Sequence, residues 1–285
     1  MNRTVTLTKA FEVSDNSIIK ISDLYITQCD ASYFRSTNLT VENSIFRRNC
    51  GSHGGALDLA KSQLHVKNCR FEFNEAAFRG GAIALDTSPQ YQIIGSTFRN
   101  NIARGYSDLP RKQNTVESDF GGRGGAISSY GEDDENVLEG IEYITYAAGK
   151  GSGLIEDSIF SDNKAEIGGG AISLNYITDS LTEMKNCSFY NNSVSLSAEC
   201  FGGDCTIRGG ALHFSNAPAS LTHCTFEGNS VISSDIDQAA QGGAIYSSII
   251  LSSTSDIESN MIVNNCSFVE NSVNGHEDAR FVDVF

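Results

Sequence analysis

The chain contains no tryptophan and only 3 prolines among its 285 residues. Glycine is abundant instead, at 27 residues, and 40% of the residues are hydrophobic, which is typical of a turn-rich β protein and excludes collagen and intrinsic disorder. Basic residues are scarce: 20 Lys and Arg stand against 35 Asp and Glu, a formal charge of −15. Such a surface repels phosphate backbones, so nucleic-acid binding is disfavoured.

Long apolar runs are also missing. None approaches the roughly twenty residues that a membrane-spanning helix needs, so no helical membrane crossing is predicted. The first residues, Met1 to Leu7, show no stretch of signal-peptide length, which predicts either an intracellular chain or a segment of a longer protein. An even number of cysteines and several Asn-x-Ser/Thr sequons favour an extracellular segment. The candidate glycosylation sites are Asn38, Asn186, Asn191 and Asn265.

An internal repeat dominates the sequence. The motif Phe-x-x-Asn occurs seven times, and Gly-Gly-Ala followed by Leu or Ile alternates with it. Where nothing is inserted, as between Phe46 and Phe71, the period is 25 to 29 residues, which predicts one structural unit per repeat. The motif residues are Phe46, Phe71, Phe98, Phe160, Phe189, Phe226 and Phe268, with Asn49, Asn74, Asn101, Asn163, Asn192, Asn229 and Asn271.

Aligning the repeats on Phe shows their internal pattern. An aliphatic residue lies five positions before it, Ser or Cys two positions before it, and a small residue five positions after it. A Gly-Gly turn and a further strand such as 56–59 follow. Each repeat is thus predicted to hold three short strands, which bury their apolar sides only by stacking on the next repeat. This pattern predicts an all-β parallel β-helix in which the Phe rings stack about 4.8 Å apart and the Asn side chains form a hydrogen-bonded ladder.

The repeat pattern also divides the chain. No segment of useful length keeps a 3.6-residue period, so a globular α/β fold is excluded. Residues 1–38 lack Gly-Gly-Ala and are predicted to form irregular first coils or an N-terminal cap, and residues 39–285 the β-helix. The last repeat reaches Phe285 before any Gly-Gly-Ala, which predicts truncation at the C-terminus. Insertions predicted to project from the corners are 104–123, 131–152, 195–207, 233–241 and 248–259.

Alternating Phe-x-x-Asn and Gly-Gly-Ala-Ile/Leu resembles the polymorphic outer membrane protein repeat of chlamydial surface autotransporter adhesins and of large surface proteins of some protists. The resemblance covers roughly residues 39–285. It implies a right-handed parallel β-helix and a surface or adhesive role. Because the amino end shows no signal peptide, the resemblance does not carry over the secretion route of the family.

Polysaccharide lyases and hydrolases also have parallel β-helix folds, so the strand after Gly-Gly-Ala is a candidate position for catalytic residues. Its outward positions form the column Asp58, Ala84, Ser128, Ser173, His213 and Tyr246, which offers no carboxylate pair in neighbouring coils. Arg79 and Arg123 precede Gly-Gly-Ala in successive repeats. A lyase could use such an arginine as a base, but only beside a carboxylate cluster that holds Ca²⁺. Solvated or ion-paired corner arginines are the simpler interpretation.

Neither a metal site nor a cofactor is predicted. The acidic run 133–135 lacks the alternation of a calcium loop, and the five histidines lack metal-ligand spacing. Cys200 and Cys205 flank two glycines in an insertion and are predicted to form a disulfide in an oxidising compartment. The cysteines that share a column with serine are predicted to be buried and unpaired: Cys69, Cys187, Cys224 and Cys266.

Taken together, these patterns predict a non-enzymatic surface or extracellular β-helix that presents flat faces and loops to a protein or glycan. It is expected to belong to a longer chain or assembly. Two alternatives stay open: a carbohydrate-active enzyme, either lyase or hydrolase, and a structural segment of a larger surface filament. The candidate binding residues are Asp58, Ser128, Ser173, His213, Tyr246, Arg79 and Arg123.

Overall fold

The chain folds as a parallel β-helix. The structure, a computed structural model, describes residues 3–4, 11–14, 16–28, 30–87, 90–105, 122–131, 151–175, 177, 181–196, 206–233, 239–248 and 261–274. Within these ranges every regular element is a β-strand. Each strand pairs in parallel with the equivalent strand of the neighbouring coil, for example Arg70–Glu72 with Ile45–Arg47 and with Thr97–Arg99.

The strands form four long sheets, which we call faces 1 to 4 in the order in which a coil passes through them. Face 1 carries the aliphatic residue that precedes Phe, and face 2 carries the Phe itself. The strands of face 1 are Ile18–Ser22, Asn38–Glu42, Gln63–Lys67, Gln90–Ile94, Ser152–Glu156, Thr182–Lys185, Ala219–Thr222 and Met261–Asn264. Those of face 2 are Arg3–Thr4, Leu24–Thr27, Ile45–Arg47, Arg70–Glu72, Thr97–Arg99, Ile159–Ser161, Ser188–Tyr190, Thr225–Glu227 and Ser267–Val269.

Face 3 follows the motif Asn, and face 4 follows Gly-Gly-Ala. The strands of face 3 are Cys50–His53, Glu75–Arg79, Ile102–Ala103, Lys164–Ala165, Ser193–Ser195, Ser230–Ile232 and Ser272–Asn274, and the pair Ile207–Arg208 and Ala240–Gln241 forms a small separate sheet. Those of face 4 are Glu12–Val13, Ser32–Arg35, Leu57–Ala60, Ile83–Asp86, Ile127–Tyr130, Ile172–Asn175, Leu212–Ser215 and Ile245–Ser248.

A complete coil therefore has four strands, and the prediction of three was wrong. The missed strand is the one on face 3. Its small inward residue, such as Ala76 or Ala103, was recognised in the alignment, but the strand is as short as the two residues Ile102–Ala103. Two residues are too few to show a period-2 pattern, so the extended conformation becomes visible only through its pairing with neighbouring coils.

Sharp corners separate the faces, and the double glycine forms one of them. Gly80 has a φ of +64°, and a Cβ there would lie 2.1 Å from the carbonyl oxygen of Ile83. The following Gly81 is needed for a different reason, because a Cβ on it would lie 2.0 Å from the carbonyl oxygen of Gly125 in the next coil. The corner thus requires glycine once for backbone conformation and once for close coil stacking.

The Phe residues form the predicted interior stack. Successive ring centroids from Phe46 to Phe268 lie 4.8 to 5.1 Å apart, with ring planes within 10° of parallel. The six rings from Phe46 to Phe226 are fully buried. Burying a side chain of this size contributes roughly 1.5–3 kcal/mol, so this stack is a major source of stability. The prediction of one interior column is confirmed.

The motif asparagines form the second predicted ladder. Asn101 Nδ2 donates to Asn163 Oδ1 at 3.0 Å and to the carbonyl oxygen of Phe71 at 2.9 Å. Its own Oδ1 accepts from both the backbone nitrogen and the Nδ2 of Asn74. The same pattern repeats from Asn49 to Asn271, so each interior amide satisfies polar groups of two neighbouring coils.

Strands before residue 39 lie in the same sheets as the later coils. Ile18–Ser22 pairs in register with Asn38–Glu42 on face 1, and Ser32–Arg35 pairs with Leu57–Ala60 on face 4. The expected boundary at 38/39 is therefore not a break in the sheets. Ile26 occupies the position of the motif Phe, against Phe46. A capping role for residues 1–38 stays a prediction.

The ladder generates a stability prediction. Asn101→Ala removes hydrogen bonds to Asn74, Phe71 and Asn163 inside the core, and each buried polar group left unpaired costs roughly 1–3 kcal/mol. We expect the free energy of unfolding to fall by about 3–5 kcal/mol, measured by urea denaturation. Asn271→Ala is the control, because Asn271 is only half-buried and should cost less. Equal losses for the two variants would contradict a ladder whose strength comes from burial.

Candidate functional site

The outward side of face 4 holds the candidate binding residues. The strand register places Asp58, Ala84, Ser128, Ser173, His213 and Tyr246 in one column. Their surroundings differ from those of an open surface, because Ser128, Ser173 and His213 are buried, whereas Asp58 and Tyr246 are partly exposed. Although this column points away from the interior, its middle residues are thus largely closed to solvent.

The corner arginines contribute to this closure. Short bridges align Arg79, Arg123, Gly168 and Arg208 in one column beside face 4. Arg79 donates to Asp86 Oδ2 at 2.8 Å, and its guanidinium group lies 5.3 Å from the ring centroid of Tyr130. The guanidinium group of Arg208 lies 5.3 Å from the ring centroid of Tyr246. These arginines lie along face 4 and pair with its side chains.

A second outward column on face 4 was missed by the sequence analysis. It lies two residues after the first and contains Asp86, Tyr130 and Asn175. The period-2 pattern of a strand would have predicted it, because positions i and i+2 point to the same side. Its members bind the arginines: Asp86 pairs with Arg79, and Asn175 Oδ1 accepts from Arg123 at 3.1 Å.

At the C-terminal end of face 4, the column contains a hydroxyl–imidazole pair. Asn175 Nδ2 donates to Ser173 Oγ at 3.0 Å, and Ser173 Oγ lies 3.1 Å from Nδ1 of His213. Ser173 thus links Asn175 to the imidazole of His213. Burial and the positive charges of Arg123 and Arg208 lower the pKa of His213, so the imidazole is neutral. Both residues are buried, and the pair is therefore closed to a polymeric substrate.

At the other end, two carboxyl groups meet. Burial and the charge of Asp86 raise the pKa of Asp58 to about 7, against the opposing effect of Arg79. Comparison of residues within one column does not reveal this pair. Asp58 belongs to the first outward column of face 4, and Asp86 belongs to the second. One neutral and one ionised carboxyl group is an arrangement that glycoside hydrolases use. Here the ionised member is held by Arg79.

The outward side of face 1 carries a groove of about 410 Å³ that the sequence analysis missed. Along one wall an amide column runs from coil to coil: Asn38 Nδ2 donates to Gln63 Oε1 at 3.4 Å, and Gln63 Nε2 donates to Gln90 Oε1 at 3.1 Å. Leu154 and Leu181 add apolar surface. The amide column lies eight positions before each Phe, so the repeat alignment contained the signal.

The amide column is exposed, in contrast to the middle of face 4. Asn38, Gln63 and Gln90 are all solvent-exposed, and among the described residues that line the groove Glu183 alone has an acidic side chain. The groove is thus nearly neutral although the chain is acidic. Its lining combines hydrogen-bonding amides with a small apolar area, which is the composition of a site for a polar, uncharged ligand.

The cysteines of the described ranges are unpaired. Cys69, Cys187 and Cys224 are buried, Cys266 is partly buried and Cys50 is exposed. Burial raises the pKa of the Cys69 thiol to about 11. A hydrogen bond between Cys187 and Cys224 raises the pKa of the Cys187 thiol. The predicted pair Cys200 and Cys205 lies outside the described residues, as does the acidic run 133–135.

Other features of the described ranges bear on ligands and location. They contain no group of three or more His, Cys, Asp or Glu side chains that could hold a metal ion, and no helix that could span a bilayer. The four candidate glycosylation residues, Asn38, Asn186, Asn191 and Asn265, are all solvent-exposed. Their modification stays a prediction.

Comparison with known families agrees with this geometry. Residues 6–120 match the right handed beta helix region family. Residues 157–175 and 223–248 match the Chlamydia polymorphic membrane protein repeat. No curated protein and no solved structure matches the chain. These matches confirm the predicted resemblance to the polymorphic membrane protein repeat and the predicted right-handed β-helix.

The carboxyl pair predicts a pH dependence. The pKa of Asp58 is raised from 3.8 to about 7 by folding, so the native state holds the proton more tightly and stability falls as pH rises through this window. Asp58→Asn should remove that fall. At pH 8 we expect a gain of at most about 4 kcal/mol, because the shift is roughly 3 pKa units and one unit corresponds to about 1.4 kcal/mol; partial solvent screening of Asp58 lowers the gain below that ceiling.

Urea denaturation at pH 5 and pH 8 provides the measurement. Asp23→Asn is the control, since Asp23 is exposed at a left-handed corner where other coils use Asn. If Asp58→Asn gave the same pH dependence as the unmodified chain, the assignment of a neutral carboxyl group to Asp58 would be wrong.

Proposed function

We propose that this chain, a right-handed β-helix carrying Chlamydia polymorphic membrane protein repeats, is a non-enzymatic binding protein of the cell surface or extracellular space. Its groove on face 1 binds an uncharged segment of a glycan. The observation that carries this proposal is the exposed amide column of Asn38, Gln63 and Gln90, which contrasts with the closed middle of face 4. A protein segment is the alternative ligand.

The spacing of the groove supports a polymeric ligand. Neighbouring coils repeat about every 4.8 Å, so the column offers the same amide donor and acceptor at regular steps along the helix axis. Amide side chains both donate and accept, which suits hydroxyl groups. Leu154 and Leu181 provide the apolar contact that a sugar ring or a peptide side chain requires.

The sequons are exposed, which supports a surface location. The match to the polymorphic membrane protein repeat supports the same location. Glycosylation of Asn38 would use the Nδ2 that donates to Gln63 and would block this end of the groove, while the other three candidate sites are not among the residues that line it. Adhesion to a host or neighbouring cell is the biological role that fits a surface repeat protein with an open groove. A purely structural segment of a surface filament would not need the amide column.

A carbohydrate-active enzyme is the second candidate, and one observation favours it: the proximity of Asp58 to Asp86. Against it stand the ion pair between Asp86 and Arg79 and the closed hydroxyl–imidazole pair of Ser173 and His213. Arg123 is likewise engaged by Asn175. The residues that could perform chemistry are thus used to hold face 4 together.

Binding by the groove is testable with oligosaccharides. Isothermal titration against a panel of neutral glycans should identify a ligand, and Gln63→Ala or Gln90→Ala should weaken its binding about fivefold, because each lost hydrogen bond contributes about 1 kcal/mol. Asn264→Ala is the matched control: it removes an exposed amide from face 1 four coils away from Gln90. Equal weakening in the control would argue against the groove.

The same samples test the enzymatic alternative. We expect no new reducing ends and no unsaturated uronates after incubation with neutral glycans, pectate or alginate, with or without Ca²⁺. Turnover that disappears in Asp58→Asn, Arg79→Ala or Arg123→Ala would replace the binding proposal with an enzymatic one.

A further inference from the structure

Face 2 carries a cluster of arginines on an otherwise acidic chain. Arg47, Arg48, Arg70 and Arg99 lie in three successive coils of this face or at its corner, and we call them the arginine patch. The acidic side chains paired with them are Glu72 and Asp162. The four arginines and these two carboxylates together carry a formal charge of +2, whereas the whole chain carries −15.

The patch is built around one buried carboxylate. Glu72 is 7% exposed and stands between Arg47 and Arg99 in the register of face 2. Its carboxylate accepts from Arg70 Nε at 3.0 Å and lies 3.8 Å from Arg47 Nε. Glu72 thus orients two guanidinium groups from below. Arg70 and Arg99 nevertheless keep 57% and 59% of their side-chain surface in solvent.

An exposed aromatic ring adjoins the patch. Phe73 is 44% exposed, and the guanidinium group of Arg47 lies 5.3 Å from its ring centroid. Its φ of +56° is left-handed, a conformation that bulky residues adopt at a cost. Other coils place Asn, Asp, Gly or a charged residue at this corner, as at Asn100 and Gly228. A left-handed, exposed Phe at this corner motivates the hypothesis of a binding role.

Face 2 is also bordered by regular corners. The long insertions in the sequence fall at face 3 or between faces 4 and 1, while the corners on either side of face 2 keep the same length in every coil from Asn38 onward. The sequons near this face, at Asn186, Asn191 and Asn265, belong to later coils. The described strands and corners of face 2 thus follow one another at constant spacing along the patch.

We propose that the arginine patch, with Phe73, binds an acidic polysaccharide, one that carries sulfate or carboxylate groups. Guanidinium groups bind such groups through paired hydrogen bonds, and an aromatic ring provides a stacking surface for a sugar. The acidity of the remaining surface does not prevent this, because charges are screened beyond about 8 Å at physiological ionic strength. This site is separate from the groove on face 1 and does not depend on it.

A flat surface with a stacking ring favours a polysaccharide over the other polyanions. An acidic protein would bury a larger and more apolar area than this patch offers, and a nucleic-acid duplex keeps its bases stacked inside, so it offers no base for Phe73 to stack on. Binding of either at equal strength is an outcome that the experiment must detect.

The experiment measures binding of the full chain to heparin, alginate, neutral dextran, polyglutamate and duplex DNA over a series of salt concentrations. We expect heparin or alginate to bind, with affinity that falls as salt rises, and dextran not to bind at this site. Arg70→Gln combined with Arg99→Gln should weaken binding by at least about tenfold. Lys67→Gln combined with Lys164→Gln is the control, because it removes the same charge from exposed positions on faces 1 and 3.

Two further variants separate a binding role from a structural one. Glu72→Gln removes the negative charge beneath the patch and should strengthen binding of the acidic polysaccharide. Phe73→Asn relieves the left-handed strain, so the urea midpoint should rise while the affinity falls. These opposite changes are not expected of residues that only stabilise the fold.

Several outcomes would overturn the proposal. Among them are failure of both heparin and alginate to bind, equal loss of affinity in the lysine control, and equal binding of polyglutamate or DNA. An unchanged affinity in Phe73→Asn would remove the ring from the site. Since none of these substitutions touches the groove on face 1, glycan binding there is tested independently.

Discussion

Hydrogen bonds between stacked asparagines hold neighbouring coils in register. Each interior amide bridges to the next coil and to a Phe carbonyl of the coil before it, in a core where no water could replace the lost partner. The Phe stack fills the space beside this ladder. Because both ladders repeat at the spacing of parallel strands, every outward column repeats at that spacing as well. The surface chemistry of the protein is thus arranged by its interior.

Accessibility then divides the four faces by role. On face 4, arginines from the corner lie across the sheet and pair with Asp86 and Asn175 or stack on Tyr246. The charges of these arginines are therefore engaged in contacts within the protein. Burial shifts the pKa values of Asp58 and His213, but the pair of Ser173 and His213 stays closed to solvent. The amide column of face 1 and the side chains of Arg70 and Arg99 on face 2 stay in solvent. We therefore propose that ligands bind on faces 1 and 2, where these polar side chains are accessible.

Net charge is a poor guide to any one face of such a molecule. A formal charge of −15 argues against polyanionic ligands when it is spread over a sphere. In an elongated repeat protein, charges several coils apart are screened from each other, and four arginines in neighbouring coils create a local field of the opposite sign. Arg70 and Glu72 show how the fold also positions such charges, since the buried acid orients the exposed base.

The sequence by itself determined the fold class, the repeat motif and the interior. Residues equivalent to Phe71, Asn74 and Gly80 recur once per coil. They are visible as a repeat in the sequence because each of them must stack on the equivalent residue of the next coil.

The tertiary structure decided the rest. Face 3 is defined by pairing more than by pattern, the approach of Asp58 to Asp86 crosses two columns, and burial of Ser173 depends on side chains from other coils. The groove of face 1 and the buried Glu72 beneath Arg47 and Arg70 are likewise contacts between coils. The repeat pattern predicts the packing that equivalent residues have in common. A site depends instead on contacts between non-equivalent residues of neighbouring coils, which the pattern does not contain.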